Sequence, residues 1–468
     1  MTTHRIRTLG PAALLAIATA VHASAQAPAP IGAGLRATLP DRVLEELVSE
    51  ALAKNPDIAA SAATAQAAGF RIAPARTLPD PFLSFNYQND GWAPSLGVQE
   101  MTFLGAMFSQ PLPWPGKLRL AGEEAALRAE EVKAGVEART RLAVEARVRR
   151  AYYEYLLART LLDLIEDRSR SWRTISTIVR ERYAVGLSVQ QDVLRAQVEV
   201  LRLDGARADQ TAQVANRRAE VNRMVGRPQD APLETDQPLD YRPDVPGLES
   251  LLAAVRGKSP ELAALARGIE ADRSRVALTK KNFLPDFVAS GGPMYRGGLD
   301  PMWQVGLGIT LPIHAGSRQK PLLAAAKADL RSDESRYASA ALELEFRTRE
   351  RFQSLDAALR VARLYREGVL PTDELSLESA IASYRTGRVP FVTVLDALNT
   401  RYADRALYLA RLADAEKWRV AIDEMDLQSA GGMAGAPPPA AAAPSGSGMF
   451  DASAAMGSPA PGGNDVEK

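Results

Sequence analysis

Few side chains in this sequence could do chemistry, and their spacing points away from catalysis. Cysteine is absent, and histidine occurs only at His4, His22 and His314. A thiolate nucleophile, a disulfide framework, a zinc–thiolate site and an iron–sulfur cluster are excluded by composition. A histidine dyad or a multi-histidine metal centre lacks ligands, because His4 and His22 fall in a segment expected to be cleaved. The carboxylate pairs Glu123–Glu124 and Glu130–Glu131 lie among Arg and Lys at helical spacing and read as solvated faces. "GGPMYRGG" sits at a hairpin and lacks the strand-to-helix context of a phosphate loop. Met433, Met449 and Met456 are scattered through low-complexity sequence and define no copper site. The 57 basic and 56 acidic residues cancel, which argues against a nucleic-acid groove. No enzyme activity, cofactor, resident metal or nucleic-acid partner is expected.

What remains is architecture. Arg5 and Arg7, the apolar run "LGPAALLAIATAV" and the small residues "ASA" read as an export signal over residues 1–25. No later segment carries the ~20 apolar residues of a spanning helix. With no cysteine after the cleavage point, a cysteine-linked lipid anchor is not available. Proline is missing between Pro115 and Pro228, between Pro321 and Pro371, and between Pro390 and Pro437. These windows are rich in Ala, Leu, Arg and Glu, all strong helix formers. In "SWRTISTIVRERYAVG", Trp172, Ile175, Val179 and Tyr183 form a one-sided apolar stripe. A helix from about Lys117 to Tyr183 would run roughly 100 Å at ~1.5 Å per residue, the length of a tube or solenoid element. Pro371 predicts a kink or loosened turn in the second long helix, with no counterpart in the first.

Different material precedes each long helix. Leu83, Phe85 and Tyr87 alternate with polar residues, and Leu104, Ala106 and Phe108 share one face. In "MWQVGLGITLP", Trp303, Val305, Leu307, Ile309 and Leu311 alternate with Gln304, Gly306, Gly308 and Thr310. Period-two patterning of this kind marks strands with one apolar face. Each is about nine to eleven residues long, the reach of a tilted strand across a bilayer. Its partner "PDFVASGGPMY" is glycine-rich and weaker.

The chain also repeats itself. "NPDIAA" at Asn55 answers "SPELAA" at Ser259, "LPD" at Leu78 answers "LPD" at Leu284, and "LPWPG" at Leu112 answers "LPIHAG" at Leu311. "YAVGLSVQQDVLRAQ" at Tyr183 answers "YRTGRVPFVTVLDAL" at Tyr384. Matches in one order at nearly constant spacing mark a duplication. The resulting partition is a leader (1–25), N-terminal helices and an equatorial segment (26–77), a β-hairpin (78–112) and a helical hairpin (113–225). A proline-rich equatorial linker (226–258) joins this to a helix (259–283), a second β-hairpin (284–312), a second helical hairpin (313–428) and a disordered tail (429–468). Four strands cannot close a barrel, and an open edge cannot face lipid, because its backbone groups would be unpaired. If the hairpins enter a membrane, the chain must associate. Two copies would supply eight strands and three would supply twelve.

The wording "LPDP", "QPLPWPGK", "RYAVGLSVQQDVLRAQ" and "LPTDELSLESAIASYRTGRVPFVTVLDAL" resembles the TolC-type outer-membrane efflux factors over residues 41–428. The resemblance implies a mainly α fold with a small β part. It implies a homotrimer whose twelve strands form one outer-membrane β-barrel in lipid and whose helices form a periplasmic α-barrel, girdled by segments near 41–55, 226–258 and the C-terminal end. It also implies an exit duct joined through a periplasmic adaptor protein to an inner-membrane pump, here of the resistance–nodulation–division type. The adaptor-docking signature of the family matches Val185, Gly186, Leu187 and Ser188. The second tip, with Gly387, departs from it. The polar gate of the family maps onto Asp192 and Tyr384, with Arg388 one residue before the usual arginine. Asp396 keeps one of two constriction aspartates, and Thr393 replaces the other. The duct wording leans towards heavy-metal pumps, with drug or solvent export open. The competing class is a soluble periplasmic scaffold of long hairpins. The apolar face from Trp303 to Leu311 speaks against it.

Overall fold

The structure is a computed structural model and describes residues 41–235 and 237–425. The leader at 1–25 and the tail at 429–468 lie outside those residues. Three helices open the chain: α1 (Arg42–Lys54), α2 (Pro56–Phe70) and α3 (Ile72–Arg76). The side chain of Asp41 caps α1, accepting from the N–H groups of Val43 and Leu44, and Asn55 caps α2 ahead of a proline at its first position. The second repeat starts the same way. After α7 (Leu248–Lys258), Ser259 caps α8 (Pro260–Lys281), again with proline at the first helical position. A short polar cap followed by proline satisfies one orphan donor and removes another, so both helices begin at fixed residues.

Four strands, β1 (Phe82–Gln88), β2 (Phe103–Leu112), β3 (Asp286–Arg296) and β4 (Leu299–Thr310), form one antiparallel sheet in the order β1-β2-β3-β4. The two expected hairpins are therefore fused, because β2 pairs with β3 from Leu104↔Tyr295 to Leu112↔Phe287. Directly opposed residues share a face. Leu83, Phe85 and Tyr87 thus continue through Leu104 and Phe108 to Trp303, Val305, Leu307 and Ile309 as one apolar surface. Every one of these side chains is exposed; Trp303 is 78% accessible and Val305 74%. Leu311 shares that exposure but lies just past the end of β4. The opposite face carries Ser84, Asn86, Gln88, Ser290, Gln304 and Thr310. Both outer strands, β1 and β4, keep a free edge.

Below the sheet, α4 (Lys117–Val132) runs through a π-helical turn (Lys133–Ala138) into α5 (Arg139–Ala184), and α6 (Gln190–Val225) returns. The rod from 117 to 184 spans roughly 100 Å. In the second repeat a π turn (Ala315–Gln319) leads into α9 (Lys320–Leu364), a further π turn (Tyr365–Val369), α10 (Leu370–Arg385) and the returning α11 (Phe391–Glu424). The loosened turn expected at Pro371 is present as the π turn that ends two residues before it. Proline offers no N–H to the carbonyl four residues back, so the ladder widens there. The expectation that the first long helix lacks an equivalent needs correction. It has its own π turn at Lys133–Ala138, without a proline and at a different height. Among the described residues, no helix is long and apolar enough to cross a membrane.

A buried belt holds the two repeats together. Leu47, Val144, Val148, Tyr152, Val221 and Val225 form its core. The Tyr152 hydroxyl donates to Asp41 and lies 2.8 Å from the Thr235 hydroxyl. The Tyr155 hydroxyl donates to the Leu233 carbonyl at 2.6 Å, and Arg159 to the Thr235 carbonyl at 2.6 Å. The linker between the repeats is thus fastened across α5 by side chains that meet its backbone carbonyls. At the foot of the sheet, Lys117 donates to both oxygens of Asp286 at 2.8 and 2.9 Å, and the Trp114 N–H donates to Asp286 at 2.7 Å. The Trp114 ring stacks on Phe287 at 5.7 Å.

Just past the second π turn of the second repeat, Asp373 on α10 stands near Asp404 on α11, and burial followed by the charge of Asp404 raises the Asp373 pKa. Burial and a neighbouring carboxylate both favour the protonated form. A folded-state pKa above the ordinary aspartate value means that folding binds a proton, so this stabilisation is complete at low pH. It should be lost as pH climbs from the ordinary aspartate range through the raised value. Thermal melts of the helical region, followed by circular dichroism, should therefore show wild type losing stability across that window. Asp373→Asn, which cannot ionise, should lose less. Identical pH profiles would contradict the raised Asp373 pKa.

Candidate functional site

The far end of the helical region carries the residues singled out in the sequence. Both helical hairpins turn by the same backbone device. In the first, the Gly186 N–H donates to the Tyr183 carbonyl at 3.0 Å and the Leu187 N–H to the Arg182 carbonyl at 2.8 Å. In the second, Gly387 donates to Tyr384 at 2.9 Å and Arg388 to Ser383 at 2.9 Å. The glycines take φ of 74° and 76°, where a Cβ would be strained. These paired bonds are a helix-terminating motif that satisfies carbonyls otherwise left open. The duplication read in the sequence therefore extends to individual hydrogen bonds.

The surroundings differ. Tyr384 is 5% exposed, and its ring meets Phe391 at 5.7 Å within a core shared with Trp172, Val179, Leu377 and Leu398. Its repeat counterpart Tyr183, expected to continue the buried stripe of Trp172, Ile175 and Val179, is instead 47% exposed. Of the two tyrosines, only Tyr384 lies in the groove between hairpins.

In that groove the Tyr384 hydroxyl lies 3.3 Å from the Ser188 hydroxyl, which donates to Asp192 at 3.0 Å. Asp192 sits in the first turn of α6, where a carboxylate is favoured by the N–H groups at the helix start. Asp192 and Tyr384 are thus brought together, with Ser188 between them. Arg388 is not part of this group. Its side chain is exposed and makes no hydrogen bond or ion pair among the described residues. The cation at the site is Arg182, which stands 4.8 Å over the Tyr384 ring and donates to the carbonyls of Arg385 at 2.5 Å and Leu187 at 3.0 Å. One guanidinium therefore ties both tips together. The sequence reading missed Arg182, although an arginine in the last turn before a terminating glycine is a recognisable cap signal. Asp396 is exposed on α11, away from this group and without a partner among the described residues.

About 20 Å higher, at ~1.5 Å per residue, a second polar layer links α5 to α11. The Tyr402 hydroxyl donates to Asp167 at 2.7 Å and lies 3.0 Å from Ser171, and Arg168 donates to Asn399 at 2.7 Å. Burial and the Asp167 carboxylate push the Tyr402 pKa up, so the phenol stays a donor. Outside the groove the tips diverge again. Val185, Leu187 and Val189 are exposed at the first tip, whereas the second presents Arg385, Thr386 and Arg388. Among the described residues, no group of three metal-capable side chains occurs.

The chain thus combines a four-stranded sheet that has a free apolar face with two long helical hairpins. Residues 47–227 and 251–425 match the family model described as outer membrane efflux protein, and the chain belongs to that family. It is 24% identical over 383 residues to the cobalt-zinc-cadmium resistance protein CzcC of Cupriavidus metallidurans, covering 82% of this chain and 89% of that one. It is 23% identical over 394 residues to the outer membrane protein TolC of Vibrio cholerae, covering 79% and 87%. Among solved structures it shares its fold with VceC of Vibrio cholerae (TM-score 0.67, 18% identity, 81% and 94% covered) and with CusC (TM-score 0.66, 19% identity, 83% and 93% covered). The family consists of efflux channels and not of enzymes.

Removing Arg182 should loosen both tips together. Arg182→Ala deletes two charged hydrogen bonds and a cation–π contact, together worth ~1.5 kcal/mol, so amide exchange at the tip should speed up about tenfold. Hydrogen exchange over residues 183–190 and 384–391 reads this directly. Faster exchange at only one tip would contradict the shared clamp.

Proposed function

We propose that three copies of this chain form the outer-membrane exit duct of a tripartite efflux pump. Twelve strands would make one barrel in lipid, and the long hairpins would line a periplasmic tunnel. The duct is passive, and the inner-membrane pump supplies the energy. The observation that carries this reading is the sheet, whose apolar face is exposed and whose two edges are open in a single chain. The apolar face suits lipid, but the open edges are not tolerable in hydrocarbon unless other copies complete the wall.

The tip is read as the closed periplasmic entrance. Asp192, Ser188 and Tyr384 link the two hairpins of one protomer, with Arg182 in the place that the family resemblance gives to Arg388. Three copies of Asp396 would form a carboxylate ring that attracts cations at the constriction. The apolar first tip, Val185 with Leu187 around Gly186, suits docking of a periplasmic adaptor, because exposed apolar patches mark protein contacts. The charged second tip around Gly387 suits it less. Divalent metal cations are the favoured cargo, supported by the likeness to a cobalt-zinc-cadmium resistance protein and by the aspartate ring.

In planar bilayers, the purified protein in detergent should insert as a trimeric channel with low closed-state current. Asp192→Ala and Tyr384→Phe should each raise that current. Unchanged current in both variants would remove the gate, and a detergent-independent monomer would remove the duct. A strain lacking the chain should gain sensitivity to cobalt, zinc and cadmium, and sensitivity only to organic compounds would redirect the cargo assignment.

A further inference from the structure

The seam between the two repeats inside one chain supplies a template for the seam between copies. Inside the chain, β2 pairs with β3 from Leu112↔Phe287 to Leu104↔Tyr295, and the foot of that seam is closed by Lys117 on Asp286. The duplication maps this seam onto the free edges. "LP" at Leu112 recurs at Leu311, and "LPD" at Leu78 recurs at Leu284. Moving β2 onto β4 and β3 onto β1 by these offsets turns Leu112↔Phe287 into Leu311↔Pro81. It continues as Ile309↔Leu83, Leu307↔Phe85 and Val305↔Tyr87.

Two independent observations agree with that register. All of these β4 and β1 side chains lie on the exposed apolar face. A slip of one residue would set Gly308 or Gln304 against them and break the continuous surface. The foot removes the remaining freedom of a two-residue slip. Asp80, the counterpart of Asp286, is exposed and has no ion pair or hydrogen bond among the described residues. Lys320 opens α9 in "KPLLA" as Lys117 opens α4 in "KLRLA", and it too is exposed without a partner among the described residues. The second repeat has four extra residues before this lysine, and the π turn Ala315–Gln319 lies within that stretch. Four residues are about one helical turn, which would return Lys320 to the face that Lys117 uses, one turn further from the sheet. Helical side chains lean back towards the N-terminus, which would bring its ammonium towards the sheet.

We propose that β4 of one copy pairs antiparallel with β1 of the next in the register Ile309↔Leu83, and that Lys320 closes the foot of this seam on the next copy's Asp80. The proposal rests on the trimeric-wall reading above and specifies its contacts.

The absence of cysteine makes the test clean. In detergent, Leu83→Cys with Ile309→Cys should give covalent dimers and trimers on a denaturing gel after treatment with an oxidant or a short bis-maleimide. The off-register pair Leu83→Cys with Leu307→Cys should give few. Cross-linking only off register, or none in protein that native mass measurement finds trimeric, overturns the register and leaves the trimer standing. Protein that is monomeric by native mass overturns the underlying reading. Separately, Asp80→Lys should lower the temperature at which the trimer dissociates in SDS, and adding Lys320→Asp should recover it. Failure of the double reversal to recover it overturns the Lys320–Asp80 contact.

Discussion

The structure depends on one constraint: backbone N–H and C=O groups must find partners wherever water is absent. A single chain satisfies this along its helices and across three strand pairings, but leaves β1 and β4 each with an open edge. The same sheet presents a continuous apolar face. Open edges alone would be ordinary in water, and an apolar face alone could be a covered surface. Together they suit the wall of several copies proposed above.

The helical region is fastened both to the sheet and to the linker between the repeats. Lys117 and Trp114 fasten α4 to the base of β3, so the first long helix of one repeat is anchored on the first strand of the other. The tyrosines and arginine that grip the linker do the same at the belt. The π turns interrupt the rods at unequal heights, and the second repeat carries its interruption closer to the tip, together with the Asp373–Asp404 contact. The two hairpins therefore share a length and a turn but not a distribution of weak points. The tips follow the same logic. One backbone motif is used twice, yet Arg182 and Tyr384 make the groove between them polar, while Val185, Leu187 and Val189 leave the outer surface of the first tip apolar.

Much of this could be read along the chain. The alternation from Trp303 to Ile309 and the stripe from Trp172 to Val179 report local periods, and each appears where those periods place it. The repeat and the effect of Pro371 were equally visible, the first from motifs that recur in one order and the second from the missing N–H of one residue. The fusion of the two hairpins through β2 and β3 was not visible, because the period of a strand says which face is apolar and nothing about which strand lies beside it. Arg182 was passed over, and Arg388 was put in its place, for a related reason. The tip lets either arginine sit near the groove, and only the packed geometry shows which guanidinium lies over the Tyr384 ring.

The amino-acid order by itself determined the element types, the duplication and the condition that the chain must associate if its hairpins enter a membrane, because these follow from periodicity, from proline and glycine placement, and from counting strands. Tertiary structure alone decided between equivalents: Tyr384 buried and Tyr183 exposed, Asp286 paired and Asp80 without a partner among the described residues. Two copies of one motif carry the same local propensities. They differ only in what packs against them, and that depends on residues far away in the chain.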